Sequence, residues 1–115
     1  MKKSIRVQRK ESLLKEILSE VLANMGDNRI RGLSVIDVVC SRDGSDAKIY
    51  LDKSYLNEKE QKESLKKLKQ ARGYIKTQTL KLTGWYRVPN FQFTFDNLLE
   101  YENKMEELFE KIKKR

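Results

Sequence analysis

The sequence predicts a single α+β domain in which helices cover one face of a three-stranded sheet. Two observations lead to this prediction. Apolar residues recur at helical spacing in four stretches, and three short stretches carry the β-branched or alternating apolar residues typical of strands. At 115 residues the chain has room for one modest core. It contains no internal repeat or low-complexity tract, so we expect one domain over residues 1–115.

The chain begins with an amphipathic helical pattern. A helix is predicted over residues 12–25, and a start near Ile5 also fits the spacing of its apolar residues. Gly26 ends this helix, because glycine is the usual residue just beyond a helix C-terminus. The polar segment at residues 27–32, which ends in a second glycine, predicts a turn.

A β-hairpin is predicted next. Residues 33–40 are rich in β-branched side chains and form the first strand, and Cys40 is expected to be a small core residue within it. Asp43-Gly44 supplies residues that tolerate positive φ in the connection. The return strand covers residues 47–51, with its apolar side chains on one face.

The second half of the chain contains a long helical pattern interrupted by a glycine. It runs from an acidic opening at Glu58 to about Leu82, with Gly73 in its middle. An internal glycine costs a helix about 1 kcal/mol relative to alanine. We therefore expect a kink, or a close approach of another backbone, at Gly73. One side of both helical halves is apolar and is expected to face the core: Leu65, Leu68, Ala71 and Ile75.

A third strand and a closing helix complete the predicted domain. Thr83-Gly84 ends the helical stretch, and residues 90–95 alternate phenylalanine with polar residues. These phenylalanines share one face of a strand, so we expect them to be core residues and not a base-stacking platform. The closing helix at residues 98–115 carries an apolar stripe and a short basic tail.

Positive charge is concentrated in two places. The chain has 25 Lys and Arg against 17 Asp and Glu, a net charge of +8, which favours nucleic acid or an anionic membrane as partner. Residues 1–10 form a basic N-terminal arm, and residues 64–95 contain no acid. The bent helix is therefore a candidate surface for a phosphate backbone, although charge runs are commonly only solvated faces. The candidate contacts are Lys3, Arg6, Arg9, Lys66, Lys69, Arg72, Lys76, Lys81 and Arg87.

The residues that common enzymatic and metal chemistry requires are missing. There is no histidine and only one cysteine, which removes the usual general base and an ordinary zinc site. No glycine-rich nucleotide-binding motif is present, so we expect a binding module without a cofactor and not an enzyme. No apolar run is long enough to span a membrane and no signal core precedes the first helix, so a cytoplasmic location is expected.

The predicted order of helix, strand, strand, helix, kink, helix and strand is that of the type II KH fold, a nucleic-acid-binding architecture. A KH domain normally carries a Gly-x-x-Gly loop between its middle helices, whereas this chain has Ala71-Arg72-Gly73. The chain thereby resembles the ribosome-binding factor A family, whose KH-like domain has an Ala-x-Gly kink. Further matches lie in order between Arg9 and Leu108, among them Val35-Ile-Asp-Val-Val-Cys-Ser-Arg-Asp43, Arg87-Val-Pro89 and Asp96-Asn97.

The resemblance implies a bacterial assembly factor that binds the immature 30S ribosomal subunit. Its implied role is to assist late maturation of 16S ribosomal RNA at the 5′ end, often with importance in the cold. By position, Ala71, Arg72 and Gly73 are the family's kink, and Gly73 joins the cations as an expected RNA contact. We expect a monomer that recognises shaped ribosomal RNA, without DNA or a membrane as partner.

A different function remains open for the closing helix. Its apolar stripe could dock a partner protein, which would make the chain a protein-interaction module. Such stripes more often pack against their own core. The stripe consists of Met105, Leu108, Phe109 and Ile112.

Overall fold

The structure is a computed structural model of the chain, and it describes residues 4–53 and 55–96. The predicted α+β class is confirmed over these residues, and the predicted order of elements is found with one additional short helix. The predicted closing helix at residues 98–115 and Lys3 lie outside the described residues. The elements are α1 (Ile5–Ala23), α2 (Asn28–Arg31), β1 (Val35–Cys40), β2 (Asp46–Asp52), α3 (Glu58–Gln70), α4 (Arg72–Thr83) and β3 (Asn90–Asp96).

The N-terminal segment differs from its prediction. Helix α1 begins at Ile5, where the Ser4 Oγ accepts a hydrogen bond of 3.2 Å from the Val7 N–H and caps the first turn. Residues 5–10 of the predicted basic arm are therefore the first turns of a helix. The early start that the apolar spacing allowed is confirmed.

The polar turn after α1 contains a short helix, α2, which the sequence analysis missed. The Asp27 Oδ1 accepts a 2.8 Å hydrogen bond from the Arg29 N–H, which caps this single helical turn. Ile30 is buried and fixes α2 against the core. A lone apolar residue in a four-residue element carries no periodicity, so the pattern could not show it.

The three strands form one sheet in the order β1-β2-β3. β1 runs antiparallel to β2, with Cys40 opposite Ala47, and β3 runs parallel to β2, with Asn90 opposite Asp46. The end of β1 and the beginnings of β2 and β3 therefore meet at one end of the sheet. We call this the hairpin end, because the β1–β2 connection lies there.

The core lies between the sheet and the helices. On β2 every second residue is buried, namely Ala47, Ile49 and Leu51, which confirms the predicted one-sided pattern. Cys40 is buried, as predicted. The predicted apolar side of the bent helix also faces the core, since Leu68 and Ile75 are fully buried. Phe91 is buried and the two other strand phenylalanines pack partly against the same core, as expected.

Candidate nucleic-acid interface

The basic start of α1 is held at the hairpin end of the sheet. The Glu11 Oε2 accepts a 2.7 Å hydrogen bond from the Cys40 backbone N–H, and Cys40 is the last residue of β1. Glu11 directly follows Lys10 in α1, so this bond brings the cations at the start of the helix to the same end. The first turn of α1 contains neither aspartate nor glutamate, so no acidic residue of that turn offsets the positive end of the helix dipole beside Arg6.

Three cations of α1 line a cleft together with an indole ring. Arg6, Arg9, Lys10 and Leu13 line a cleft of about 300 Å³ together with Trp85, and we call it the Trp85 cleft. The Lys10 Nζ lies 5.7 Å from the centroid of the Trp85 ring, within the range of a cation–π interaction. Trp85 is half-buried and packs partly against the core, so part of the ring forms the wall of the cleft.

The loop between α4 and β3 positions Trp85. Gly84 ends α4 with a left-handed φ of 69°, and its N–H donates to the Leu80 carbonyl at 2.9 Å. The Thr83 Oγ1 then accepts a 3.2 Å hydrogen bond from the Trp85 N–H. Val88 and Pro89 are buried at the other end of the loop. Both ends are thus fixed, whereas Tyr86 between them is 97% exposed.

A second cleft, of about 440 Å³, adjoins the first through Lys10. We call it the Arg87 cleft. The Lys76 Nζ donates a 3.2 Å hydrogen bond to the Asn90 Oδ1, which fixes the middle of α4 near the start of β3. Lys10 of α1, Lys76 of α4 and Arg87 of the loop after α4 all line this cleft. Such a group of cations attracts the oxygens of a phosphate. The cleft is lined by Lys10, Asp43, Gly44, Ser45, Lys76, Arg87, Val88 and Asn90.

The hairpin turn forms the remaining wall of the Arg87 cleft. The Asp43 Oδ1 accepts hydrogen bonds from the Ser45 N–H at 3.0 Å, the Ser45 Oγ at 2.8 Å and the Ser41 Oγ at 2.8 Å. These bonds, led by that from the Ser45 backbone, lower the pKa of Asp43 from 3.8 to about 2. Gly44 has a φ of 73°, which confirms that the turn uses a residue tolerant of positive φ.

The bend between α3 and α4 is centred on Ala71 and lies two residues before the glycine. Ala71 has φ −90° and ψ 3°, yet its N–H donates to the Lys67 carbonyl and its carbonyl accepts from the Ile75 N–H, both at 2.9 Å. Gly73 lies in the first turn of α4. Apart from its chain neighbours and the adjacent backbone of its own helix, no described atom lies within 4 Å of where its Cβ would be, so the described residues show no close approach of another backbone segment there.

The structure brings together four of the predicted contact residues and separates others from them. Arg6 and Arg9 line the Trp85 cleft, and Lys76 and Arg87 line the adjoining cleft. Arg72 is one helical turn before Lys76 and shares its side of α4. The remaining predicted residues are exposed and line neither cleft: Lys66, Lys69, Arg72, Gly73 and Lys81.

Sequence reasoning missed the residues that join these cations. Lys10 is predicted only as one residue of the basic arm at residues 1–10, and Trp85 carries no prediction of its own. The available signal was the order Trp85-Tyr86-Arg87 directly after the helix-ending Gly84, which puts two aromatic rings beside an arginine. Asn90 gave no signal, because its role depends on its distance from Lys76.

The described residues were also compared with what a metal site and a membrane-spanning helix require. Residues 4–53 and 55–96 hold no group of three or more histidine, cysteine or acidic side chains arranged to bind a metal ion. Within the same residues, none of the helices combines the length and apolar character needed to cross a bilayer.

The chain is similar in sequence to one family of known proteins. Residues 6–109 match the family described as ribosome-binding factor A. A protein of that name from Campylobacter jejuni is 47% identical over 110 residues, which are 96% of this chain and 92% of the relative. One from Wolinella succinogenes is 39% identical over 112 residues, covering 97% and 94% of the two chains.

Solved structures with the same name have a similar fold. The crystal structure from Thermus thermophilus aligns with a TM-score of 0.68 at 25% identity, over 77% of this chain and 93% of that one. The solution structure of a Thermotoga maritima protein, described as a putative ribosome binding factor A, gives 0.69 at 26% identity, over 82% and 90%. A Thermus thermophilus homology model fitted into the cryo-EM map of a 30S–RbfA complex gives 0.61 at 25%, over 72% and 87%.

Proposed function

The chain belongs to the ribosome-binding factor A family, and we propose that it binds the 30S ribosomal subunit as an assembly factor. The observation that carries this proposal is the 47% identity to a ribosome-binding factor A over 96% of the chain. A related protein has been fitted into a 30S–RbfA complex, which supports the 30S subunit as the target.

The cationic surface supports 16S ribosomal RNA as the component that is contacted. Arg6, Arg9 and Lys10 extend from α1, and Lys76 and Arg87 extend from α4 and the following loop. Lysine and arginine contacts to phosphates give affinity without reading base sequence. We therefore propose that the protein recognises the shape of folded ribosomal RNA.

The bend at Ala71 supports a further contact with the RNA backbone. No side chain of a described residue caps the start of α4, and the partial positive charge of a helix N-terminus favours an anion. Gly73 lies in the first turn of α4 without a side chain to obstruct an approaching phosphate. Lys66, Lys69 and Arg72 lie on either side of the bend and would add charge.

The finer parts of the proposal follow the resemblance to the family. We propose that residues 1–115 form one type II KH-like, RNA-binding domain that acts as a monomer in the cytoplasm. Its action is to hold the immature subunit during late, 5′-end maturation of 16S ribosomal RNA, with importance in the cold. It works by binding and without catalysis or a cofactor, and it requires neither DNA nor a membrane.

The experiment that tests this function is co-sedimentation of the purified chain with 30S subunits on sucrose gradients at low and raised salt. The wild-type chain is expected to migrate with free or immature 30S subunits and to dissociate as salt rises. The variant Lys76→Gln/Arg87→Gln is expected to dissociate at lower salt. Lys15→Gln, an exposed lysine of α1 that lines neither cleft, is the control.

Two results would count against the proposal. Absence of the wild-type chain from every ribosomal fraction at low salt would contradict the proposed function. Equal retention of Lys76→Gln/Arg87→Gln and Lys15→Gln would leave the function but remove the Arg87 cleft from the contact surface.

A further inference from the structure

The Trp85 cleft combines an aromatic wall with a cationic rim. Trp85 and Leu13 supply the apolar surface, and Arg6, Arg9 and Lys10 line the same cleft. Among the described residues, no acidic side chain lines this cleft. A ligand that matches it needs a flat, apolar body and a negative charge close by.

An unpaired nucleotide meets both requirements. Its base has two aromatic faces that can stack on an indole, and its phosphates are negative. A base inside a duplex is covered on both faces by its neighbours and cannot reach the ring. An acidic peptide would satisfy the arginines but would leave the aromatic wall without a planar partner.

We propose that the Trp85 cleft is a binding site for one unpaired RNA nucleotide, whose base stacks on Trp85. This site rests on the proposed function, because it identifies a single-stranded segment as part of the RNA that is bound. The adjoining Arg87 cleft takes the neighbouring phosphate between Lys76 and Arg87. Base and phosphate are then held by two different elements of the fold.

Lys10 links the two clefts. Its ammonium group lies over the Trp85 ring in this structure, and its side chain also lines the Arg87 cleft. A base that stacks on the ring takes the place of the ammonium group, and the cation turns toward the phosphate in the adjoining cleft. The cation–π contact thus keeps the ring covered until RNA arrives.

This arrangement predicts a specific kind of selectivity. Stacking tolerates any base, because every base has a π-face, so the site distinguishes unpaired from paired RNA and not one sequence from another. Tyr86 is 97% exposed directly beside Trp85 and can extend the stacking surface to the next base.

The intrinsic fluorescence of Trp85 tests the proposal, because it is the only tryptophan in the chain. The full chain is titrated at low salt with three RNA probes compared at equal total phosphate concentration: a single-stranded hexamer, an abasic hexamer and a blunt-ended, GC-rich duplex of two complementary hexamers. We expect quenching by the single strand and little change with the other two. Equal quenching by the abasic strand, or none by the single strand, would overturn the site.

Substitutions provide the second measurement. Trp85→Ala is expected to weaken binding of the single-stranded hexamer roughly 5- to 150-fold, the range found for removal of one base-stacking ring, and Trp85→Phe is expected to restore most of it. Tyr55→Ala is the matched control, since Tyr55 is 95% exposed but follows β2 at the opposite end of the sheet. Equal affinities of the Ala and Phe variants would contradict stacking.

The outcomes separate this site from the proposed function. If the wild-type chain sediments with 30S subunits but its fluorescence does not respond to the single-stranded hexamer, the nucleotide site is wrong and the function stands. If Trp85 is quenched by the single strand but the chain is absent from ribosomal fractions, the site binds RNA and the ribosomal function fails.

Discussion

Asp43 shows how local hydrogen bonds fix the charge of a single residue. Three bonds from Ser41 and Ser45 favour its ionised form and lower its pKa to about 2. Because the folded pKa lies below the usual 3.8, the stability that Asp43 contributes is fully present above pH 3.8 and is lost as the pH falls toward 2. The turn at the wall of the Arg87 cleft is therefore unaffected by pH changes near neutrality.

Replacing Ser45 by alanine is expected to raise the pKa of Asp43 part of the way toward 3.8. The Ser45 Oγ bond is lost, whereas the bond from the Ser45 backbone N–H, which is the largest cause of the shift, remains. The measurement is an NMR titration of the Asp43 carboxyl carbon. A pKa that does not move would show that the side-chain bond is not formed in solution.

The Glu11 side chain connects α1 to β1, because it accepts a hydrogen bond from the backbone of the last residue of β1. Glu11→Ala removes the acceptor of the Cys40 N–H, and we expect it to lower the free energy of unfolding by about 1.5–3 kcal/mol, as for hydrogen bonds to charged groups. Urea unfolding measures the loss. Glu16→Ala, on an exposed position of α1, should change stability by no more than about 0.5 kcal/mol. Equal effects of the two variants would argue against the tie between α1 and β1.

At the scale of elements, two glycines at the ends of α4 have opposite roles. Gly73 has helical backbone geometry and open space at its Cβ position, so Gly73→Ala is expected to raise stability by up to about 1 kcal/mol. Gly84 has a φ of 69°, so Gly84→Ala is expected to lower it by about 1–2 kcal/mol. Thermal or urea unfolding of both variants checks the signs. A destabilised Gly73→Ala would mean that the fold itself requires this glycine.

A Gly73→Ala variant can therefore distinguish a role of this glycine in folding from a role in RNA binding. Since the described residues give no packing reason for a glycine there, a loss of 30S binding by a stable Gly73→Ala variant would indicate that RNA approaches the start of α4 closely. Retention of binding would indicate that the RNA contacts lie at the Trp85 and Arg87 clefts and not at the start of α4.

At the scale of the whole molecule, the net charge of +8 is expected to attract RNA phosphates most strongly where several cationic side chains lie close together. Each neutralised phosphate changes the slope of log K against log salt by about 0.7–0.9. Lys76→Gln/Arg87→Gln is therefore expected to reduce the magnitude of the slope by about 1.4–1.8 if both residues contact phosphate. The measurement is 30S or RNA affinity at several salt concentrations, with Lys15→Gln as control. An unchanged slope would show that these cations do not contact phosphates.

The sequence alone determined most of the architecture, because local patterns specify local structure. Apolar spacing, β-branched runs and the Asp43-Gly44 signal predicted α3, α4, the three strands and the hairpin to within a few residues, and α1 at the earlier of its two possible starts. The short helix α2 was missed, and the closing helix at residues 98–115 lies outside the described residues. A bend was also predicted, but at Gly73, whereas the backbone departs from helical geometry at Ala71. The sequence likewise supplied the excess of positive charge, the absence of histidine and the resemblance to the family.

Only the tertiary structure decided which cations act together. Arg6 and Arg87 are 81 positions apart, and no periodicity relates them. They converge because β3 pairs parallel to β2 beside the hairpin and because Glu11 holds α1 to the end of β1. Long-range pairing of this kind depends on backbone hydrogen bonds between distant segments, which are set by the packing of the whole core and not by any short stretch of residues.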